Sequence, residues 1–483
     1  MKKIVVFLIT ILIFSACTKL EDLNKNVTDP TAVAGEALFT GAQKNLFDQM
    51  INTNVNNNIF RLFAQYWTET TYTDESNYDL VTRTIPDNHW DILYRDVLKD
   101  LDESGKIIKA TAYPADGSAA GKANRLACVE ILTIYTYSVL VETFGNVPYS
   151  KALDINNLAP KYDDGLTIYK DLITRLNTAI ASIDPGAENL GDADNMYHGD
   201  MAQWLKFANS LKLRMALLLA DLDAGYAGPL VKDAAANVIA SNDDNAKIVY
   251  LGAQPNTNPI YNDLVASGRH DFVPTSVIVD AMNTLNDPRR QFYFTLVDTS
   301  STATPALVYY GGVYGASNDF TAFSHVANAI QVPTFEGTIF DWSETEFLLA
   351  EAAARGFEVT GSAEEHYNTA IRASITYWGG TTADADTYLA NPAVAYATAT
   401  GDYKQKIGTQ MWIALYNRGF EAWTEWRKFD WPVLVAPPDA LTALPLRYTY
   451  PIEEQTLNGA NYHAAAAAIG GDDVTTKLFW DKH

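Results

Sequence analysis

Residues 344–378 read ETEFLLAEAAARGFEVTGSAEEHYNTAIRASITYW. Apolar residues recur at helical spacing through 344–357 and again through 363–378. Between these stretches lie Thr360, Gly361 and Ser362, which are residue types that end one helix and begin the next. The segment therefore predicts two helices joined by a short turn and packed against each other.

The same segment carries the small and aromatic positions that are typical of tetratricopeptide repeats. Ala350, Ala363 and Ala370 would let two helices approach closely, and Tyr367 would fill the space left between them. A strict 34-residue period does not continue along the chain. We therefore predict a mainly α fold built from tetratricopeptide-like helix pairs rather than a regular repeat array.

Further helices are predicted on both sides of this pair. The stretches 166–183 and 204–218 have apolar residues on one helical face, and the second also has an apolar residue, Leu213, on its opposite side. A helix that is apolar on two faces packs between neighbours. The face residues of the second stretch are Trp204, Phe207, Ala208, Leu211, Met215 and Leu218.

The stretch 124–145 is apolar enough to raise the question of a membrane span. Glu130 and Glu142 interrupt it, and only about 16 residues are free of charge, fewer than the ~20 that cross a bilayer. We therefore expect a helix buried inside the protein, ended by Gly145 and Pro148. Cys128, within this helix, is expected to be a small buried residue.

The first 16 residues form an export signal: Lys2 and Lys3 precede an apolar run over 4–14 that is too short to span a membrane. Phe-Ser-Ala-Cys at 14–17 resembles a bacterial lipobox, in which the cysteine is acylated. We therefore predict a signal peptide at 1–16, lipidation of Cys17 (with palmitate among the acyl groups) and a lipidated tail at 17–34. Because Cys17 is used in this way, only Cys128 remains and no intramolecular disulfide is possible.

The net charge and the residues that follow Cys17 indicate where in the cell the protein is located. The 483 residues carry 35 basic and 58 acidic side chains, a formal charge of -23, which argues against a nucleic-acid partner. Lys19, Glu21 and Asp22 resemble the acidic signal that sends some Bacteroidetes lipoproteins to the cell surface. The protein is therefore expected in the outer membrane, held by its lipid and facing the exterior.

No catalytic motif is found in the sequence. The seven histidines are scattered, without metal-ligand spacing. Asp192, Asp194 and Asp200 suggest calcium, but Met196 stands at a ligand position of the calcium-loop register, and a solvated acidic turn is the simpler interpretation. We expect no metal, cofactor or catalytic residue. Glycoside hydrolysis requires only two carboxylates and stays open.

Several blocks resemble the SusD/RagB family of outer-membrane nutrient-binding lipoproteins, in its SusD-like branch. In family order they are VETFGNVPYS at 141–150, YHGD at 197–200, WLKFANSLKLR at 204–214, DPR at 287–289, 347–356, IRAS at 371–374, 410–427, Arg447 with Tyr448, Tyr450 with Pro451, and WDK at 480–482. Together they span nearly the whole mature chain.

The resemblance implies a right-handed superhelical scaffold of helix pairs that supports an irregular, loop-rich ligand-binding lobe. It also implies a partner, a SusC-type TonB-dependent β-barrel transporter, over which the protein closes as a lid after capturing an oligosaccharide or peptide. No reaction is catalysed in that function. A secreted glycan-degrading enzyme and a helical scaffold without its own ligand are the alternatives.

Composition and loop length suggest where a ligand would bind. Aromatic residues make up 12% of the chain, and sugar rings pack on aromatic planes while their hydroxyls bond to a few polar groups. Two loops combine both residue types. The candidate ligand-binding residues are Trp67, Tyr72, Asn77, Tyr78 and Trp90 in the first and Tyr310, Tyr314 and Asn318 in the second.

The expected layout is one domain over 35–483. Its helix-pair scaffold occupies mainly 35–240 and 340–430, its irregular lobe mainly 241–339 and 379–401, and a C-terminal segment follows at 431–483. Trp412, Trp423 and Trp426 have helical spacing and are assigned to the core.

Overall fold

The computed structural model describes residues 33–112, 118–300 and 305–482. The predicted signal peptide, Cys17 and nearly all of the predicted tail lie outside these residues. Long helices form the bulk of the molecule, and short strands join loops at one side. The mainly α fold class is therefore confirmed.

The helices pack largely as neighbours in sequence. Close pairs are formed by the helices Gly35–Ile51 with Lys99–Ala110, Ala119–Phe144 with Gly165–Ser182, Met201–Leu218 with Ala224–Ala234, and Trp342–Ala354 with Ala363–Tyr377. The bounds are α1 Gly35–Ile51, α2 Phe60–Phe63, α3 Ile85–Asp91, α4 Lys99–Ala110, α5 Ala119–Phe144, α6 Gly165–Ser182, α7 Met201–Leu218, α8 Ala224–Ala234, α9 Pro259–Tyr261, α10 Ser276–Leu285, α11 Arg290–Tyr293, α12 Trp342–Ala354, α13 Ala363–Tyr377, α14 Thr382–Leu389, α15 Tyr403–Ala414, α16 Gly419–Phe429, α17 Ile452–Leu457 and α18 Gly459–Ala468. The described residues also include two π-helical turns, Ile92–Leu98 and Asn262–Ala266, and three 3-10 turns, Gly191–Ala193, Asn242–Asp244 and Phe320–Ala322.

The strands form two-stranded antiparallel ladders: β1 pairs with β5, β2 with β3, β4 with β8, and β6 with β7. Their bounds are β1 Trp67–Glu69, β2 Val147–Pro148, β3 Tyr162–Asp163, β4 Ala246–Val249, β5 Phe272–Pro274, β6 Val297–Asp298, β7 Leu307–Val308 and β8 Glu336–Phe340. Ladders this short fasten loops to one another and do not form a core of their own.

The helix pair that the sequence predicted at 344–378 is present as α12 and α13. Asp341 caps α12 through the backbone N–H of Glu344, and Ser362 and Glu365 form a capping box at the start of α13. Ala350, Tyr367 and Ala370 are buried between the helices. The alanines therefore allow the two helices to pack closely and Tyr367 fills the space between them, as the sequence predicted.

Helix α5 is long and apolar enough to cross a membrane by length and composition. In the structure, however, 83% of its most apolar window is buried inside the protein. Glu142 is buried within the molecule and accepts a hydrogen bond from the Tyr169 hydroxyl, 2.8 Å away. The prediction of a buried core helix is confirmed, as is the burial of Cys128, and Trp412, Trp423 and Trp426 also lie in the core.

A buried ion network links the scaffold helices. Glu344 of α12 accepts a hydrogen bond from Arg214 of α7, with Nε and Oε1 2.6 Å apart, and its other oxygen accepts from Arg418. The Arg418 guanidinium also lies 3.2 Å from Asp341. The two arginines keep the pKa of Glu344 below its usual value although burial alone would raise it.

The segments expected to be irregular contain more helix than predicted. The segment 379–401 includes α14, which begins with a Thr381–Asp384 capping box, and the C-terminal segment includes α17 and α18. Capping signals of the Thr-x-x-Asp type were therefore present in the sequence. These helices are too short to show a clear helical periodicity of apolar residues in the sequence.

Candidate functional site

The two loops proposed to bind ligand lie against each other. The Asn77 side chain donates to the carbonyl of Gly315 at 2.8 Å, and the rings of Tyr78 and Tyr314 are 6.3 Å apart. Asn318 donates to the carbonyl of Glu69 at 3.2 Å. Residues more than 230 positions apart in sequence therefore form one surface.

A third segment joins them through the β1–β5 ladder. Beyond that ladder, Thr70 donates its backbone N–H to the carbonyl of Asp271 (2.9 Å) and its hydroxyl to the carbonyl of His270 (2.7 Å). The Asn318 backbone N–H donates to the carbonyl of Thr70. We call the surface formed by 67–80, 268–275 and 309–325 the loop face.

The eight candidate residues divide by exposure. Tyr72 is 70% exposed and Tyr310 is 48% exposed. The remaining six are buried: Trp67, Asn77, Tyr78, Trp90, Tyr314 and Asn318. A ligand at the surface of this structure can therefore contact Tyr72 and Tyr310, whereas the buried six hold the loops in place.

Several of the buried candidates have defined partners. The Trp67 indole N–H donates to the Tyr416 hydroxyl at 2.9 Å, and the Tyr314 hydroxyl donates to the carbonyl of Leu62 at 2.7 Å. Trp90 packs against Tyr94, with ring centres 4.8 Å apart, and is directed into the scaffold. These contacts anchor both loops to the scaffold.

The glycines of the second loop serve chain packing. A Cβ on Gly311 would lie 2.4 Å from the backbone of Thr275, and one on Gly312 would lie 2.6 Å from Val273. In the structure the surface that they approach is the protein's own β5 strand and the residue that follows it.

Backbone strain is concentrated beside the exposed ring. Tyr72 has φ 55° and Tyr78 has φ 70°, in the left-handed region that bulky side chains rarely adopt. Such strain costs of order 1–3 kcal/mol per residue and persists only where surrounding contacts enforce it. The turn at 70–78 therefore presents Tyr72 to solvent at an energetic cost.

A stack of three rings lines a cavity next to this turn. Phe320 lies between two imidazoles, with ring centres 4.3 Å from His270 and 3.8 Å from His325. The cavity has a volume of about 320 Å³ and is also lined by Arg269 and Asp271. We call it the aromatic cavity. Tyr310 stacks on Phe323 at 5.3 Å in the same loop.

Sequence reasoning missed His270 and His325. The three stacked residues come from the segments 268–275 and 309–325, which are distant in sequence and meet at the Thr275–Gly312 bridge. Isolated histidines carry no spacing signal.

Arg269 is fixed by Asp271, with Nε and Oδ2 2.5 Å apart. That bond, and to a smaller extent Tyr72, raise the pKa of Arg269, which places a permanent positive charge beside the exposed ring.

A buried acid pair lies under the same turn. Glu69 and Glu75 are both buried and interact with each other, and Glu75 also pairs with Arg83. Ser76 closes the turn, donating its backbone N–H to Glu69 at 2.9 Å. Burial first, and then the neighbouring Glu75, raise the pKa of Glu69 to about 9. Glu69 is therefore protonated at neutral pH.

A larger cavity lies elsewhere. It has a volume of about 890 Å³ and lies between α4, α5 and the loop at 149–156. Its central polar groups bind each other: Arg175 donates to Glu130 at 2.6 and 2.9 Å and to the Tyr149 hydroxyl at 2.6 Å. These groups are already satisfied, so we do not assign the ligand site to this cavity.

The acidic turn that suggested calcium is a capping structure. Asp194 is buried, not solvated as the sequence suggested, and accepts hydrogen bonds from Gln43 (2.9 Å) and from the Trp204 indole (2.7 Å). Asp200 caps α7. Within residues 33–112, 118–300 and 305–482, no group of three His, Cys, Asp or Glu side chains is arranged to hold a metal ion.

Solved structures share this fold. A chitin-binding protein is 26% identical, covering 93% of this chain and 100% of its own, with a TM-score of 0.80. A SusD homologue of Bacteroides thetaiotaomicron is 23% identical (94% and 100% covered, TM-score 0.77), and a chitin-binding SusD homologue of Flavobacterium johnsoniae is 23% identical (92% and 99%, TM-score 0.75). No curated protein sequence matches significantly.

A family model supplies the remaining comparison. The SusD-like model described as "Starch-binding associating with outer membrane" matches residues 25–451, which is most of the chain. The match extends over the scaffold, the loop face and every segment used for the sequence resemblance except WDK at 480–482. The chain therefore belongs to the SusD-like family.

Proposed function

We propose that this protein captures an oligosaccharide at the loop face and does not transform it. The observation that carries the proposal is the exposure of Tyr72 and Tyr310 on a surface whose other candidate residues are buried. Exposed aromatic planes beside the Arg269–Asp271 pair offer both the stacking and the polar contacts that sugar rings require.

The aromatic cavity supplies the rest of the site. Its volume of about 320 Å³ lies at the lower end of the range for small-molecule pockets, so one sugar residue fits it better than a long segment of glycan. Two or three stacking contacts with a few hydrogen bonds give about -4 to -8 kcal/mol, or millimolar to micromolar affinity. Weak binding suits a protein that must release its ligand.

The ligand class to test first is a chitin-type oligosaccharide. The support is the 26% identical structure of a chitin-binding protein, together with the family description of starch binding. A panel should therefore contain chito-oligosaccharides, malto-oligosaccharides and peptides of matched length. Peptide capture is the runner-up because exposed tyrosines also bind peptides.

Tyr72→Ala combined with Tyr310→Ala tests the site. We expect about tenfold to hundredfold weaker binding of the best oligosaccharide by calorimetry, because both exposed planes are lost, with unchanged thermal unfolding. Tyr226→Ala, which removes a partly exposed tyrosine of the scaffold helix α8, is the matched control and should bind as wild type. Unchanged affinity in the double variant would exclude the loop face.

We also propose that the protein is anchored by lipid at Cys17 and delivers its ligand to a SusC-type TonB-dependent transporter. The support is the lipobox-like 14–17 and the family description of association with the outer membrane. Cys17→Ala should move the protein from the membrane pellet to the soluble fraction of lysed cells. A variant that still pellets would contradict the anchor.

The rival functions make different predictions. A glycan-degrading enzyme would turn over members of the same panel, and measurable product from purified protein would replace the binding proposal with a catalytic one. A helical scaffold without its own ligand would bind the transporter but no member of the panel.

A further inference from the structure

An open groove lies where the β4–β8 ladder meets the end of α13. Its volume is about 560 Å³, and its wall is built from the segments 242–249, 329–336 and 376–378 and from Phe292. Three aromatic rings line it, those of Phe292, Phe335 and Trp378, and each of them is only partly buried. We call it the tryptophan groove.

Two of these rings are held in fixed positions. Trp378 ends α13 and packs edge-on against the buried Tyr293, with ring centres 4.8 Å apart, and Phe335 stacks on it at 6.3 Å. The buried Asn258 fixes the loop that carries Phe335, because its backbone N–H donates to the carbonyl of Pro333 and its side chain to the carbonyl of Phe335, both at 2.8 Å. Rings that are already ordered lower the entropic cost of binding a ligand.

The third ring lies beside the residue that follows Trp378. Gly379 has φ 102°, in the region that favours glycine, and a Cβ there would lie 3.3 Å from the Phe292 ring. The chain therefore leaves α13 close against Phe292, which keeps this ring at the same groove as Trp378.

The polar groups of the groove are accessible and can form further hydrogen bonds. Lys247 and Glu336 form a partly exposed ion pair, with Nζ and Oε2 2.8 Å apart, and Glu336 also interacts with Tyr377. An ammonium has three donors and a carboxylate about four acceptor positions, so both charged groups retain bonding capacity. Among the described residues, the exposed Asp243 carboxylate has no partner. The Trp378 indole N–H also bonds to none of them, yet it is not sealed from solvent.

This combination of rings and charges favours a sugar over an apolar partner. An apolar side chain or helix seated in the groove would take Asp243 and the Lys247–Glu336 pair out of water without replacing their hydrogen bonds, which is costly. A sugar ring instead packs its C–H face on an aromatic plane, and the hydroxyls around its edge bond to polar groups. The groove is larger than the aromatic cavity and therefore suits a short segment of oligosaccharide.

The tryptophan groove adjoins the aromatic cavity. Val326, Asn328 and Gln331 line the aromatic cavity, whereas Ala329 and Val332, in the same stretch of chain, line the groove. The Gln331 side chain donates to the carbonyl of Val326 at 2.7 Å, which holds this stretch in a compact turn. One segment therefore forms a wall of both spaces.

We propose that the tryptophan groove is a second oligosaccharide-binding site, separate from the loop face. Trp378 and Phe335 supply the stacking planes. The hydroxyls of the sugar bond to the Lys247–Glu336 pair and to Asp243. The choice of a sugar as ligand rests on the proposed function, whereas the arrangement of rings and charges in the groove does not depend on the loop face.

Tryptophan fluorescence reports on the groove without reporting on the loop face. The exposed rings of the loop face are those of Tyr72 and Tyr310, whereas Trp67 and Trp90 are buried. The folded protein is titrated with N,N′-diacetylchitobiose and, in parallel, with maltose, under selective excitation of tryptophan. We expect a saturable change in emission with at least one of these disaccharides, and the same change in Tyr72→Ala/Tyr310→Ala.

Trp378→Leu should abolish this change, because the stacking plane is lost while an apolar contact with Tyr293 is kept. Calorimetry in the Tyr72→Ala/Tyr310→Ala background, which does not depend on the indole as a reporter, should show at least about tenfold weaker disaccharide binding when Trp378→Leu is added. Trp342→Phe replaces another partly buried tryptophan outside the groove lining and is the matched control. It should keep both the emission change and the affinity.

Phe335→Leu removes the second stacking plane and leaves the reporter in place. Its emission change should require at least several-fold more disaccharide, and this variant decides the matter if Trp378→Leu does not fold. The groove is not a sugar site if neither disaccharide changes the emission, or if folded Phe335→Leu and Trp378→Leu bind as tightly as their parent. If only the loop-face proposal fails, wild type and Tyr72→Ala/Tyr310→Ala will bind the disaccharide equally, and Trp378→Leu will still remove that binding.

Discussion

The helical scaffold and the loop face use the same residue types in opposite ways. In the scaffold, Trp204, Tyr367 and Trp423 are buried, and the charges of Arg214 and Glu344 neutralise each other. On the loop face, Tyr72 is exposed on strained backbone. The scaffold uses aromatics and charges to hold its shape, whereas the loop face gives up some stability to present an aromatic surface.

The cavities show the same contrast. The scaffold cavity is the larger, at about 890 Å³, but Arg175, Glu130 and Tyr149 in it are bonded to one another. The aromatic cavity is about 320 Å³ and is lined by the stacked rings of His270, Phe320 and His325. Cavity size is therefore a weaker indicator of a sugar site here than the aromatic surface that lines the cavity.

The largest expected effect comes from breaking the scaffold network. Glu344→Ala removes the shared acceptor of Arg214 and Arg418 and leaves two buried cations poorly paired. We expect the free energy of unfolding to fall by about 3–5 kcal/mol, measured by urea denaturation. If the scaffold and loop face are as separate as the comparison indicates, the folded variant still binds oligosaccharide.

An exposed ion pair provides the control. Asp386→Ala breaks the contact of Asp386 with Arg372 on the surface of α13 and α14, where both side chains are largely in solvent. The expected loss is below about 1 kcal/mol because exposed pairs contribute little. A loss as large as that of Glu344→Ala would show that burial does not distinguish the two pairs.

The scaffold was predictable because its signals are local. The α12–α13 pair was fixed by periodicity, by the small residues Ala350 and Ala370, and by the turn at Gly361, all within 35 residues. Burial of α5 followed from Glu130 and Glu142. Helix α14 was missed because eight residues hold too little periodicity to stand out from a loop.

The loop face was only partly predictable because its geometry depends on distant contacts. The sequence singled out the two loops separately, because each combines aromatic and polar residues. It could not show that Trp67 and Tyr314 point inward while Tyr72 and Tyr310 point outward, since loops lack a period that assigns faces. The His270–Phe320–His325 stack became visible only in the structure, where the Thr275–Gly312 bridge brings the segments 268–275 and 309–325 together.

The last effect, which links the two regions, concerns the acid pair under Tyr72. Glu69 interacts with Glu75 and with Tyr314, and the nearby Arg83 pairs with Glu75, so the positive charge serves only one of the two buried carboxyl groups. Its pKa of about 9 in the folded protein, against a usual value near 4.5, means that the folded state holds a proton that the unfolded state releases. Stability should therefore decline as pH rises from about 4.5 to about 9, by at most about 1.4 kcal/mol per pH unit.

Glu69→Gln should flatten that decline, because the amide replaces the protonated carboxyl and keeps a donor toward Glu75 without titrating. Urea denaturation at pH 5, 7 and 9 measures the slope, and Glu103→Gln, an exposed change on α4, should keep the wild-type slope. An equal slope in wild type and Glu69→Gln would show that the pair shares no proton. If the slope does flatten, the proton held by the buried acid pair stabilises the turn that presents Tyr72. The exposure of this ring then depends on buried titratable groups, as the stability of the scaffold does.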